Sequence, residues 1–100
     1  MSLERPTYYV YIVTGFSLRA VLYVGVTSNL VARIEARRNG EIGSFTARYH
    51  LWKLVYAQAF PHVRDAIAWE KRLKGWRRER KIALIDAVNP CWRTLEARSW

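Results

Sequence analysis

Two runs of β-branched and aromatic residues, Tyr8–Thr14 (YYVYIVT) and residues 20–26 (AVLYVGV), constrain the fold of this chain most. Five residues separate them, with Gly15 and Ser17 in or beside the gap. A connection that short joins neighbours, so the two runs predict an antiparallel hairpin. Each run carries a small aromatic signature, Tyr9-Val10-Tyr11 in the first and Tyr23-Val24-Gly25 in the second. Tyrosine is a good strand former, and core packing would account for all three phenols by itself.

The rest of the chain supplies helices and one more strand. Ser28 stands where an N-cap belongs, and Asn29 to Arg38 follow as a helix stopped at Asn39-Gly40. Leu30, Val31 and Ile34 are its inward positions, bordered on one side by Arg33 and Arg37. Residues 41–50 form a polar loop that includes Phe45, Arg48 and Tyr49. Leu54–Phe60 is a third strand closed by Pro61.

A second helix covers Val63 to Gly75, with Val63, Ala66, Ile67 and Leu73 on one apolar stripe. Glu70 falls inside that stripe. A carboxylate facing the core is costly unless it is paired, bound to metal or open to a cleft. A third helix, Arg77 to Val88, is apolar through Ile82, Leu84, Ile85 and Val88, and Asn89 before Pro90 ends it. The tail to Trp100 packs back irregularly. The order β-β-α-β-α-α predicts an α+β domain, a small, mainly antiparallel three-stranded sheet flanked by about three helices.

One hundred residues suffice for one domain, with its core over about residues 7–93 and a tail over 94–100. Seventeen basic against eight acidic residues give a net charge of +9, which favours a polyanionic partner, nucleic acid before an anionic membrane surface. Cys91 is the one cysteine, so an internal disulfide and a cysteine-built zinc site are excluded. No apolar run is long enough to span a bilayer and no leader opens the chain, so a cytoplasmic location is expected.

Taken together, Tyr9-Val10-Tyr11, eleven residues, Tyr23-Val24-Gly25 and then Arg33, ten residues past Tyr23, resemble the GIY-YIG nuclease domain. Glu70 in AIAWEKRLKGW and the Asn89-Pro90 corner fit the same pattern, which spans roughly residues 7–93. The chain is most similar to the small members built of this domain alone. Two positions depart from it. Tyr9 stands where the family name has glycine, and Arg37 stands where many small members carry histidine. The second departure weakens the carry-over of any role that needs a titratable imidazole.

The resemblance implies hydrolysis of a nucleic-acid phosphodiester, most readily DNA, with one divalent ion, Mg²⁺ or Mn²⁺. Glu70 would be its carboxylate ligand, water and phosphate oxygens completing the shell. Arg33 would neutralise the charge that builds on phosphorus. Tyr23 would be the general base toward water, Tyr11 would hydrogen-bond beside it, and Asn89 would orient a phosphate or a tyrosine. A phenol ionises near pH 10, so a free phenolate at neutral pH costs roughly 4 kcal/mol. A nearby arginine and the metal offset part of that; otherwise the tyrosine only positions a metal-activated water.

Plainer readings stand beside these. Glu70 can be an ion-pair partner of Arg33 or Lys74, and Asn-Pro is an ordinary helix terminator. The stretch from Lys71 to Lys81 has seven Lys or Arg in eleven positions. Lys71, Lys74, Arg77 and Arg78, with Arg37 and Arg48, could track a phosphate backbone, or the stretch could be a solvated face. Besides an endonuclease, the chain suits a catalytically silent nucleic-acid-binding module, or an interaction domain whose tryptophans meet a partner protein. With no recognition module visible, specificity would be low or come from a partner or homodimer.

Overall fold

The computed structural model describes residues 6–15, 21–39 and 51–99. Three strands, β1 (Tyr8–Thr14), β2 (Tyr23–Thr27) and β3 (Lys53–Phe60), form one antiparallel sheet in the order β2-β1-β3. Among the described residues, three α-helices follow the expected order: α1 (Leu30–Arg38) between β2 and β3, then α2 (Val63–Gly75) and α3 (Arg78–Val88). The hairpin pairs as expected, with Tyr11 opposite Gly25 and Val13 opposite Tyr23. Its second strand begins at Tyr23, later than the apolar run suggests.

As the central strand β1 is paired along both edges, and helices cover both of its faces. Val10 and Ile12 join Val24, Val55 and Tyr56 in a core closed by Ala66 and Leu73 of α2 and Ile85 of α3. Tyr11 and Val13 point the other way, into a core with Leu54 and Ala57 closed by Leu30 and Ile34 of α1, with Leu51. The alternation of a strand therefore assigns Tyr11 to the α1 side and its neighbours to the α2–α3 side.

The N-cap of α1 is Asn29 instead of Ser28. Asn29 has an extended backbone, and its Oδ1 accepts from Ala32 N–H at 3.1 Å. Thr27 at the end of β2 binds Asn29 N–H through its hydroxyl at 3.0 Å and fixes the strand-to-helix corner one residue later than expected. On α2, Ala66 and Leu73 are buried, while Val63 and Ile67 lie on the flank of the stripe, 45% and 38% exposed. In α3 only Ile85 is fully buried, and Val88 projects to solvent at the end of the helix.

Two local constraints hold the sheet in register. Between Ile12 and Val13 the pairing with β3 slips, leaving Val55 without a partner residue on β1. The Val55 carbonyl accepts instead from Asn89 Nδ2 at 3.0 Å. The same amide donates to Arg93 O at 2.9 Å, while Asn89 Oδ1 accepts from Arg93 N–H at 3.0 Å. Asn89 thus clamps a turn in which Trp92 adopts a left-handed backbone, φ 52°, uncommon for any residue but glycine. Beyond it, Leu95 N–H bonds to Leu54 O at 2.8 Å and brings the tail against the α1-side core.

The second constraint is Gly25. A Cβ at this position would overlap the Tyr11 ring at Cζ and Oη, so the phenol leans across β2 only because glycine stands there.

Asn89→Ala removes three buried or half-buried hydrogen bonds and is expected to cost about 2 kcal/mol, lowering the melting temperature by about 8–16 °C in a thermal scan. Gly25→Ala is expected to cost about 1–3 kcal/mol by overpacking, with NMR shift changes centred on Tyr11 and not on the α2–α3 core.

Candidate active site

The α1 face of the sheet carries a buried polar contact. Leu30, Ile34 and Arg37 are the buried residues of α1, spaced four and three apart, so Arg37 occupies the core stripe itself. Sequence reasoning set it on the border with Arg33. The signal was nonetheless available, since it is the same spacing argument that singles out Glu70 on α2.

Arg37 is 3% exposed. Its Nη2 and Nε donate to Tyr11 Oη at 2.7 and 3.3 Å. The guanidinium carbon lies 4.3 Å from the Tyr23 ring centroid, a cation–π contact that brings the second phenol into the group. Nη1 is buried with no hydrogen-bond partner among the described residues. Arg33, one turn earlier and half-buried, is near enough to act electrostatically on the Tyr11 phenol. Tyr11, Tyr23, Arg33 and Arg37 therefore form one cluster, with Arg37 rather than Arg33 making the direct contacts.

Burial pushes the Tyr11 phenol above its usual range. The hydrogen bond and charge of Arg37, and the charge of Arg33, offset only part of this. At neutral pH Tyr11 is a phenol and not a phenolate.

Glu70 belongs to the other helix layer. Ala66, Glu70 and Leu73 share one stripe of α2, and the Glu70 side chain is 13% exposed, as its position in that stripe predicts. Its described partner is Lys74, at 3.0 Å and one turn on, whose own side chain is half exposed. Such a pair contributes under about 1 kcal/mol and opens readily. No cluster of three or more acidic, His or Cys side chains occurs among the described residues. A lone carboxylate does not make a metal cage. It fits a Mg²⁺ or Mn²⁺ ion that takes most of its shell from water and phosphate oxygens.

Asn89 stands apart from the tyrosines. Both hydrogens of its amide are engaged by backbone carbonyls, so the role expected of it, orienting a phosphate or a tyrosine, gives way to pinning α3 and the tail to β3. Arg48 lies outside the described residues. Lys71, Arg77 and Arg78 are exposed on α2 and around the start of α3. Near them Trp69 and Trp76 meet edge to face at 5.4 Å, and Arg80 caps the Trp76 ring at 4.0 Å. On the same side Trp69 Nε1–H donates to Tyr56 Oη, whose O–H donates to Gln58 Oε1, and burial raises the Tyr56 phenol too.

The alkaline behaviour of the protein follows from these phenols. Tyr11 and Tyr56 hold their protons more tightly folded than unfolded. Their contribution is fully present below the ordinary phenol value of about 10 and is lost as pH rises through the higher folded values. Urea midpoints are expected to fall as pH rises above about 10, with a shallower fall for Tyr11→Phe than for the wild type.

Comparison with known proteins agrees with this architecture. The GIY-YIG catalytic domain matches residues 7–83. A UPF0213 protein of Clostridium perfringens is 38% identical over 66% of this chain and 71% of its own length. A UPF0213 protein of Lacticaseibacillus paracasei is 30% identical over 91% of this chain and all of its own. The solution structure of a UPF0213 protein from Bacillus halodurans superposes with a TM-score of 0.57 at 26% identity, covering 88% of this chain and 92% of that one. No helix among the described residues is long and apolar enough to cross a membrane. The chain belongs to the GIY-YIG family, whose catalytic domain implies an endonuclease.

Proposed function

We propose that this protein is a metal-dependent endonuclease that hydrolyses phosphodiester bonds of nucleic acid, DNA in the first place, in the cytoplasm. The observation that carries the reading is the joining of Tyr11, Tyr23 and Arg37 by direct contact, with Arg33 beside them, on the central and hairpin strands of a GIY-YIG domain. A half-buried Arg33 beside two phenols that Arg37 holds in a partly dry site suits a phosphate whose negative charge grows during reaction.

Tyr23 is the phenol proposed to take or align the proton of the attacking water, with Tyr11 hydrogen-bonding at its side. Arg33, half-buried, offers its planar donor fork to the phosphate oxygens. Glu70 would hold a Mg²⁺ or Mn²⁺ ion, which when bound polarises the phosphate and lowers the cost of the leaving oxygen. Lys74 would then release Glu70 and turn to solvent or to a phosphate. The exposed basic residues Lys71, Arg77 and Arg78 would follow the nucleic-acid backbone, a contact that weakens with salt. Specificity beyond that would come from a partner protein or a second copy of the chain.

The ion pair of Glu70 with Lys74 favours one other reading, a nucleic-acid-binding module without catalysis. Glu70→Gln separates the two. It is expected to lower Mg²⁺- or Mn²⁺-dependent nicking of plasmid DNA by about 100-fold or more, with DNA affinity changed little. Wild-type protein that cuts no plasmid, branched or single-stranded substrate with either metal, yet binds DNA with a steep salt dependence, would leave the binding module standing.

A further inference from the structure

Arg37 is an unusual residue to bury. A guanidinium removed from water costs several kcal/mol unless its charge and its donors are met. Arg37 has no acidic partner among the described contacts, and its Nη1 is buried without a hydrogen bond. What it does have is two phenols, one accepting two of its N–H groups and one lying under its flat face. Local rules are broken in this way where a site needs the geometry.

The hydrogen-bond count on Tyr11 has a consequence. A neutral phenol has one O–H donor and two acceptor lone pairs. The Nε–H and Nη2–H of Arg37 both point at Tyr11 Oη, which engages its acceptor side. The remaining valence of Tyr11 is its own O–H. Gly25 beneath the ring leaves the phenol room to lean this way, and Ala57 is its small neighbour on the other flanking strand. Arginine stays protonated at all working pH, so the arrangement does not reverse.

We propose that Arg37 is a positioning residue that holds the enclosed Tyr11 as an obligate hydrogen-bond donor beside the half-buried Tyr23, and leaves proton acceptance to Tyr23. The proposal rests on the nuclease reading for its catalytic half, but the Arg37–Tyr11 coupling stands on geometry alone. Committed to Tyr11 by hydrogen bonds and to Tyr23 by its flat face, Arg37 acts through the phenols, and the phosphate falls to the half-buried Arg33. The charged and titratable groups acting on Tyr11 are Arg37 and Arg33 from α1 and Tyr23 from β2.

Three variants, Arg37→Gln, Arg37→Lys and Arg37→His, test this with two readouts. In protein carrying ¹³Cζ-tyrosine, with the Tyr11 signal assigned by its loss in Tyr11→Phe, Arg37→Gln is expected to move the Tyr11 titration further up, and Arg37→Lys less so. In plasmid nicking, Arg37→Gln is expected to lower kcat by about 10–100-fold through misplacement of the phenol, with KM within about threefold, and Arg37→Lys to recover part of the rate.

Arg37→His brings in a group that titrates near pH 6.5. Protonated imidazole can only donate to Tyr11; neutral imidazole can accept its proton and reverse the bond. The ratio of Arg37→His to wild-type rate is therefore expected to fall as pH rises through that range. A merely structural arginine would give a ratio independent of pH. A flat ratio, an unmoved Tyr11 titration, or a raised KM at unchanged kcat would each overturn the proposal, the last by making Arg37 a phosphate ligand. If the wild type does not cut at all, the nuclease reading fails and takes the catalytic half with it, while the titration decides the coupling. Should Arg37→Gln not fold, the Lys and His variants carry both readouts.

Discussion

The hydrogen bonds between Arg37 and Tyr11 tie the sheet, the first helix and the candidate site into one unit. Tyr11 lies on the central strand, between the two smallest residues of its cross-strand neighbourhood, Gly25 and Ala57. With no side chain at 25 to fill the space, the ring reclines over β2 and carries its oxygen to α1. Arg37 meets it from the middle of the α1 core stripe and stacks on Tyr23, so one cation organises both phenols. Leucine at 37 would give α1 a better core, but no buried donor to fix the tyrosines. The site and the fold compete for this residue, and the site prevails.

The other helix layer repeats the pattern with the opposite charge. Glu70 occupies the same place in α2, between Ala66 and Leu73, that Arg37 occupies in α1 beside Leu30 and Ile34. Each helix offers one ionisable group from its buried stripe. The two differ in solvation. Arg37 is enclosed and committed to phenols, whereas Glu70 keeps some exposure and a loosely held lysine. A carboxylate proposed to hold an exchangeable ion has to remain reachable in that way, and an arginine proposed to orient a phenol does not.

Much of the architecture was legible because it rests on local periodicity. The β1 run and the bounds of α2 follow from alternation and 3.6-residue spacing, and the hairpin from its short connection. Glu70 was found by the same spacing, and its partner Lys74 lies one turn on. Boundaries shifted where a side chain could choose between adjacent roles: Thr27 gives its hydroxyl to the backbone of Asn29, which makes Asn29 and not Ser28 the cap. Asn89 was recognisable as a helix terminator. Its engagement with Val55 depends on a slip between β1 and β3, two segments more than forty positions apart in the chain, for which no local pattern exists.

By itself, the sequence determined the element order, the pairing of the hairpin, the family resemblance and the presence of a carboxylate where a core residue belongs. Each of these is a matter of spacing along one chain. The tertiary structure decided which partner the buried arginine meets, which way the Tyr11 phenol leans, and that Asn89 serves the backbone. Those outcomes depend on what faces each side chain across the sheet. Arg33 and Arg37 carry the same guanidinium; helical spacing puts Arg37 in the stripe with Leu30 and Ile34, and only the phenol opposite it gives that burial a partner.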